Sequence, residues 1–157
     1  MYKRMTILTV LVAMGCVATR SLNSLSRPQH RLGVTHGRLA DCPDRPNCVS
    51  STASRPSQQL PPIPLTTSPP SAMEILASVV KANPRSRIVT QSDHYLHAEF
   101  RSRILGFVDD VEFLVDETNS VIQFRSASRV GYSDLGVNRR RMNELRDQVT
   151  VAQQQAR

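Results

Sequence analysis

Lysine is almost missing from this 157-residue chain. It stands only at positions 3 and 81, so the basic charge rests on arginine. A guanidinium is a planar fork that grips carboxylates and phosphates through paired bonds, so the bias points to fixed ion pairs or bound anions. Long hydrophobic runs are missing too. The uncharged stretch Met5–Met14 falls short of the about 20 residues that a membrane-spanning helix needs. Internal repeats are not seen. Cysteine occurs only at 16, 42 and 48, and the sole histidines near the last two are His30 and His36, in a polar segment. A closed tetrahedral metal site needs four well-placed ligands, so no metal is expected. No nucleophile elbow or comparable catalytic motif is present, and no cofactor is expected.

The N-terminus carries a recognisable address. Lys3 and Arg4 form a short basic region ahead of Met5–Met14, which reads as the hydrophobic core of a secretory signal. Ala13-Met14-Gly15-Cys16 then resembles a bacterial lipobox, with Gly15 the small residue before the cysteine that takes lipid. Plain cleavage near Ala18, discarding Cys16, is the alternative. Lipidation of Cys16 would leave Cys42 and Cys48 as a pair, expected to bond in an oxidising envelope. The formal net charge of +7 falls to +5 once residues 1–15 are removed, since Lys3 and Arg4 leave and no acid does. An exported basic chain seldom meets nucleic acid. Anionic lipid, wall polymer, a small anion or no partner at all fit better.

The organisation follows from composition and periodicity. Residues 1–16 are expected to be a signal peptide, 17–38 a flexible polar tether, and 39–154 a single domain. The Pro-rich stretch 39–70 should run as irregular surface chain, with a short edge strand within Gln59–Leu65. Ser71-Ala-Met-Glu74 predicts a capping box, and Met73, Leu76 and Val80 then share a helical face until Asn83-Pro84. Arg87–Thr90, Tyr95–Arg101, Phe107–Val115 and Val121–Ser128 predict strands. In the last three, apolar side chains alternate with polar ones, the pattern of half-buried antiparallel strands. Asp116–Ser120 suits a hairpin turn. Met142, Leu145, Val149 and Ala152 stripe a final helix over Asn138–Gln154. The expected fold is α+β, one small domain with an antiparallel sheet of about four to five strands and two helices on one face.

Candidate chemistry gathers on the polar sheet face and in Arg125–Arg141. This segment holds five arginines, two glycines, an aspartate and an asparagine. Three of the arginines open a helix, where the macrodipole disfavours positive charge. Arg125, Ser126, Ser128, Arg129, Asp134, Asn138, Arg139 and Arg140 are the expected anion-binding set, served by backbone N–H groups at the helix start. The polar face would carry His97, Glu99, Arg101, Asp110, Glu112 and Arg125, and read plainly it is a solvated face with cross-strand ion pairs. A hydrolase on that face would draw on His97, Asp109, Asp110 and Glu112, with Ser102, Ser126, Ser128 or Ser133 as nucleophile. Asp109 falls by parity on the apolar side, where it needs an edge, a bulge or an arginine.

Three stretches in order, Cys42–Ser51, Phe107–Phe113 and Arg125–Arg141, resemble the uncharacterised family called domain of unknown function 1499. The resemblance covers roughly residues 39 to 149. It implies a bacterial or plastid protein that often carries an export signal or lipoprotein leader, and it supplies no catalytic residues. The expectation is an exported protein, lipid-anchored and facing the periplasm or cell exterior. It would bind an anionic group or an envelope protein, with a hydrolase as the alternative.

Overall fold

The computed structural model describes residues 27–28 and 31–156. The expected signal peptide and the lipid-attachment position Cys16 lie outside the described residues. Two short strands, β1 (Val34–Thr35) and β2 (Arg38–Leu39), form a small hairpin. The main sheet comprises β3 (Cys48–Ser50), β4 (Ile63–Pro64), β5 (Ser86–Gln91), β6 (Tyr95–Arg101), β7 (Val108–Asp116) and β8 (Val121–Ser128). Its order is β3-β8-β7-β6-β5, with β4 pairing β8 beyond β3, and every pairing is antiparallel. The fold is thus α+β, with six strands in place of four to five. β4 falls within the edge strand expected in Gln59–Leu65, so the additional strand is β3, an edge piece too short to carry a two-residue period.

The alternation in the long strands sets the register. Leu96, Ala98 and Phe100 of β6 face the same way as Val111, Phe113 and Val115 of β7 and Ile122 and Phe124 of β8. Two helices cover this face, α1 (Pro69–Ala82) and α2 (Val137–Gln155). α1 contributes Met73, Leu76 and Val80, and α2 contributes Met142, Leu145 and Val149. Each such fully buried side chain stabilises the fold by about 1.5–3 kcal/mol. Gln153 is also buried. It accepts a hydrogen bond from Thr66 N at 2.9 Å and donates one to Pro64 O at 3.0 Å, tying β4 to α2.

Two expectations need correction. α1 starts at Pro69, not after Ser71. Ser68 is the N-cap without a side-chain cap bond, and two prolines occupy the first turn. Their fixed φ and missing N–H suit those positions, so they set the start in place of the capping box. The polar sheet face, in turn, is not solvated. His97, Glu99, Asp110, Glu112, Arg125 and Arg129 are all buried. The cover comes from the end of the stretch expected to be tether and the first residue of the expected domain: Gly33 N donates to Glu112 at 2.7 Å, and β2 lies against β7 and β8 with Leu39 buried. The pattern shows which residues share a face, but not which chain segment covers it.

Candidate functional site

The polar face holds two linked clusters. Glu112 and Arg125 sit opposite each other on β7 and β8, and both side chains are fully buried. Arg125 Nη1 donates to Glu112 Oε2 at 2.9 Å, while Glu112 Oε1 accepts from Tyr95 Oη at 2.8 Å and from Gly33 N. The Nε and Nη2 atoms of Arg125 find no partner among the described residues, so the pair is not fully satisfied. Burial, and then the charge of Glu112, push the Tyr95 phenol well above its usual pKa, which keeps it a donor.

The second cluster centres on Arg129. Its Nε and Nη2 grip Asp110 at 2.8 and 2.7 Å, and Nη2 also reaches Glu99 at 2.7 Å. Glu99 further accepts from Arg87 and Arg101. His97 Nε2 lies 2.8 Å from Asp110 Oδ1. Burial alone would raise the Asp110 and Glu99 carboxyls. Hydrogen bonds from Arg129, joined by His97 at Asp110 and by Arg87 at Glu99, outweigh it and hold both below the usual range. Arg129 is in turn held more firmly protonated, chiefly by its hydrogen bond to Asp110. A cleft of about 700 Å³ opens at the edge of this cluster, lined by Tyr95, His97, Glu99 and Arg129 with Arg27 and Leu32 opposite.

The expected catalytic set is divided by the sheet. His97, Asp110 and Glu112 share the polar face, whereas Asp109 projects to the helix side. There Arg141 Nη2 donates to it at 2.6 Å, so of the edge, bulge or arginine that its parity called for, the structure supplies the arginine. Arg141 also lies over the Phe100 ring, 5.0 Å from its centre. Ser126 and Ser128 face the helices as well and bond to Asn138, on the far side of the sheet from His97. Ser102 Oγ accepts from Phe107 N and Ser133 Oγ from Leu135 N, so both brace turns.

The anion-binding set separates in the same way. Arg125 and Arg129 belong to the interior of the polar face. Asn138 is fully buried, and its Nδ2 donates to Asn47 O and Ser128 Oγ. Gly136, at φ 76°, is the N-cap of α2, and the Asp134 carboxylate accepts from Gly136 N at 2.9 Å and Asn138 N at 2.8 Å. The helix N-terminus is therefore satisfied by the chain's own carboxylate. The three arginines that follow are also placed: Arg139 donates to Ser57 O and Gln59 O, Arg140 to Leu135 O, and Arg141 to Asp109. Sequence reasoning missed Tyr95 and Arg87 as partners in the network. It also missed Arg141, although the parity of Asp109 gave the signal for it.

One part of the set still faces solvent. Cys42 and Cys48 form a disulfide, with Cα atoms 5.7 Å apart. The loop it closes packs against the 131–136 turn, where Asn47 Nδ2 donates to Gly131 O at 2.8 Å and Asp134 N to Pro46 O at 3.3 Å. Between them lies a cleft of about 330 Å³ lined by Arg45, Arg55, Gln58, Tyr132, Asp134 and Arg139, among others. Asp44 takes Arg55 as its ion-pair partner at the rim. Tyr132 is mostly exposed beside it.

Comparison with known proteins adds the family and no activity. No curated protein matches the chain. One family model matches residues 38–149, most of the described domain, and it spans the disulfide loop, both sheet faces and the arginine segment. The chain belongs to the family described as protein of unknown function DUF1499.

Proposed function

We propose that this is an exported, lipid-anchored envelope protein whose domain binds an anionic group at the cleft between the disulfide loop and the 131–136 turn. The basic region at Lys3 and Arg4, the apolar run Met5–Met14 and the lipobox-like end at Cys16 support export and anchoring. Two or more acyl chains on Cys16 would hold the protein stably on a membrane. The observation that carries the binding reading is the cleft itself. Two stretches far apart in sequence, 44–58 and 132–139, pack to make it, and Arg45, Arg55 and Arg139 line it. Arg125 and Arg129 serve this site indirectly, by fixing β8 and the chain that leaves it.

The core, the disulfide and both ion-pair clusters lie within residues 31–156, so a fragment Ser21–Arg157 retains what holds the fold. A thermal-shift panel on this fragment would test phosphates, headgroup analogues, wall fragments and sugar acids at two salt concentrations. A salt-sensitive rise in Tm that disappears in Arg45→Ala supports the reading. A panel with no shift at either salt concentration removes it.

A hydrolase is the second reading, favoured by the buried His97–Asp110 pair at the edge of the about 700 Å³ cleft. Such a pair could orient an imidazole as a general base. Loss of turnover in a folded His97→Gln variant, on a substrate identified by screening, would establish it. Against it stand the ion-paired state of Asp110 and the engagement of Ser102, Ser126, Ser128 and Ser133 elsewhere.

A further inference from the structure

An antiparallel sheet gathers its loops at two ends, and here the two ends differ in chemistry. The pairings Arg101↔Val108, Asp109↔Ser128 and Cys48↔Ala127 put the 102–107 loop, the 129–136 turn and the start of β3 at one end. Neighbouring strands are about 4.8 Å apart, so these loops are side by side. Arg129 N donates to Val108 O at 3.0 Å, joining the first two.

This end presents apolar tips to water. Ile104 and Tyr132 are each 71% exposed and Leu135 is 85% exposed. The tips are held outward by the backbone. Ser102 N donates to Phe107 O, and Phe107 N to Ser102 Oγ, both at 2.9 Å, which closes the 102–107 loop beneath Ile104. Leu135 adopts φ 53°, a left-handed conformation unfavourable for a side chain of its shape. It is disfavoured twice, by exposure and by strain, and Asp134 and Gly136 fix it there. Exposed Arg45, Arg85, Arg103 and Arg140 lie in the segments at this end: Arg85 donates to Arg101 O, Arg140 donates to Leu135 O, and Arg45 lines the cleft beside Tyr132. The opposite end carries Glu74, Asp93, Asp116 and Glu117; the cleft lined by Glu74, Asp93 and Glu117 has no lysine or arginine in its lining, and the one lined by Asp116 and Glu117 has a single arginine, Arg38.

We propose that the 102–107 loop and the 129–136 turn dock on the surface of an anionic phospholipid bilayer. Ile104 and Leu135 enter the boundary between headgroups and acyl chains, and the surrounding arginines meet lipid phosphates. Apolar tips within a basic rim match both parts of that surface, while the acidic end is repelled by it. Length fits as well. If Cys16 carries lipid, the chain from it to Arg27 spans at most about 40 Å, so the domain stays within reach of the bilayer. That last point rests on the anchored reading; the loop chemistry does not.

The test is vesicle flotation of Ser21–Arg157, which carries no acyl chain. Vesicles would be phosphatidylcholine alone or mixed with phosphatidylglycerol, at low and high salt. The fragment should float with the mixed vesicles at low salt and stay behind with phosphatidylcholine. Arg103→Glu with Arg140→Glu should lower the partition constant about tenfold. Ile104→Ser with Leu135→Ser should lower it about as much while leaving Tm unchanged, because both side chains face water. Val151→Ser, exposed on α2 away from the 129–136 turn, should change nothing. Absence of flotation on every vesicle overturns the proposal and leaves the tips to a protein partner. Equal flotation of the Ile104→Ser/Leu135→Ser variant also overturns it. A soluble headgroup analogue that raises Tm without vesicle binding would keep the cleft and sink the docking, so the two readings fail separately.

Discussion

The two faces of the central sheet are buried to a similar degree by opposite means. On one, two amphipathic helices cover Leu96, Val111, Phe113, Ile122 and Phe124. On the other, the hairpin β1–β2 and its flanks cover Glu99, Asp110, Glu112, Arg125 and Arg129. The helix face gains free energy as apolar surface leaves water. The charged face loses ion hydration and recovers it only through mutual pairing, so its net gain is small and its tolerance of a missing partner smaller still. Each face contains a sample of the other's chemistry: the Asp109–Arg141 pair sits among the helices, and on the other side Leu39 is buried beside the Leu114 end of β7.

The sharpest way to break the comparison is at Arg125. Arg125→Met leaves the Glu112 carboxyl group fully buried without its guanidinium partner, with Tyr95 and Gly33 as its remaining donors among the described residues. It should cost about 3–5 kcal/mol in urea unfolding. Phe113→Ala on the other face should cost a similar amount, about 3–5 kcal/mol, through a cavity. The difference appears on repair. Adding Glu112→Leu to Arg125→Met should restore most of the loss, since an apolar pair needs no solvation. No single second substitution should restore Phe113→Ala. If the double variant is as unstable as Arg125→Met, the charged face is held by more than its ion pairing.

A smaller effect is expected at Arg141. Its carboxylate partner Asp109 keeps slight contact with solvent, with 8% of its side chain exposed. Arg141→Ala should therefore cost about 1–3 kcal/mol. Arg141→Lys should recover part of this through charge alone, without the ring contact to Phe100. An Arg141→Ala variant of wild-type stability would show that the helix face tolerates Asp109 unpaired.

Much of this was legible in the sequence, and the parts that were not share a cause. Strict alternation in Tyr95–Arg101 and Val111–Val115 assigns each side chain to its face, because a one-residue slip would reverse them all. It also puts Asp109 on the apolar side, where it needs an edge, a bulge or an arginine. What covers a face is a long-range fact: Gly33 reaches Glu112 across 79 positions, and nothing local in residues 31–39 announces it. The residues of Arg125–Arg141 expected to act as one set are divided for the same reason. The density of guanidinium groups was plain, but their carboxylates lie on other strands, so seventeen neighbouring residues serve three separate surroundings.

Acid should separate the faces next. Asp110 and Glu99 hold their protons less tightly folded than unfolded. As pH falls through the carboxylate range the unfolded chain binds protons first, so their contribution, complete at neutral pH, is lost on the acid side. The urea midpoint should fall between about pH 5 and pH 3. The slope should be shallower in Asp110→Asn and unchanged in Phe113→Ala. Equal slopes in all three proteins would mean that the charged face does not govern acid stability.

The smallest effect is expected at Asp116, and it bears on why burial decides the others. Asp116 closes the β7–β8 hairpin. It accepts from Asn119 N at 3.1 Å and Asn119 Nδ2 at 2.8 Å, and the side-chain bond is the main reason its carboxyl lies below the usual range. It is therefore a depressed carboxylate like Asp110, but its partners are neutral amides in place of a guanidinium, and it stands at the sheet end beside water. Water can replace Asn119 when the bond is lost, whereas nothing replaces Arg129 at Asp110. Asp116→Ala should cost only about 0.5–1 kcal/mol, with faster amide exchange confined to residues 117–121. A loss approaching that of Arg125→Met would mean that the hairpin turn, not the buried ion pairs, holds β7 against β8.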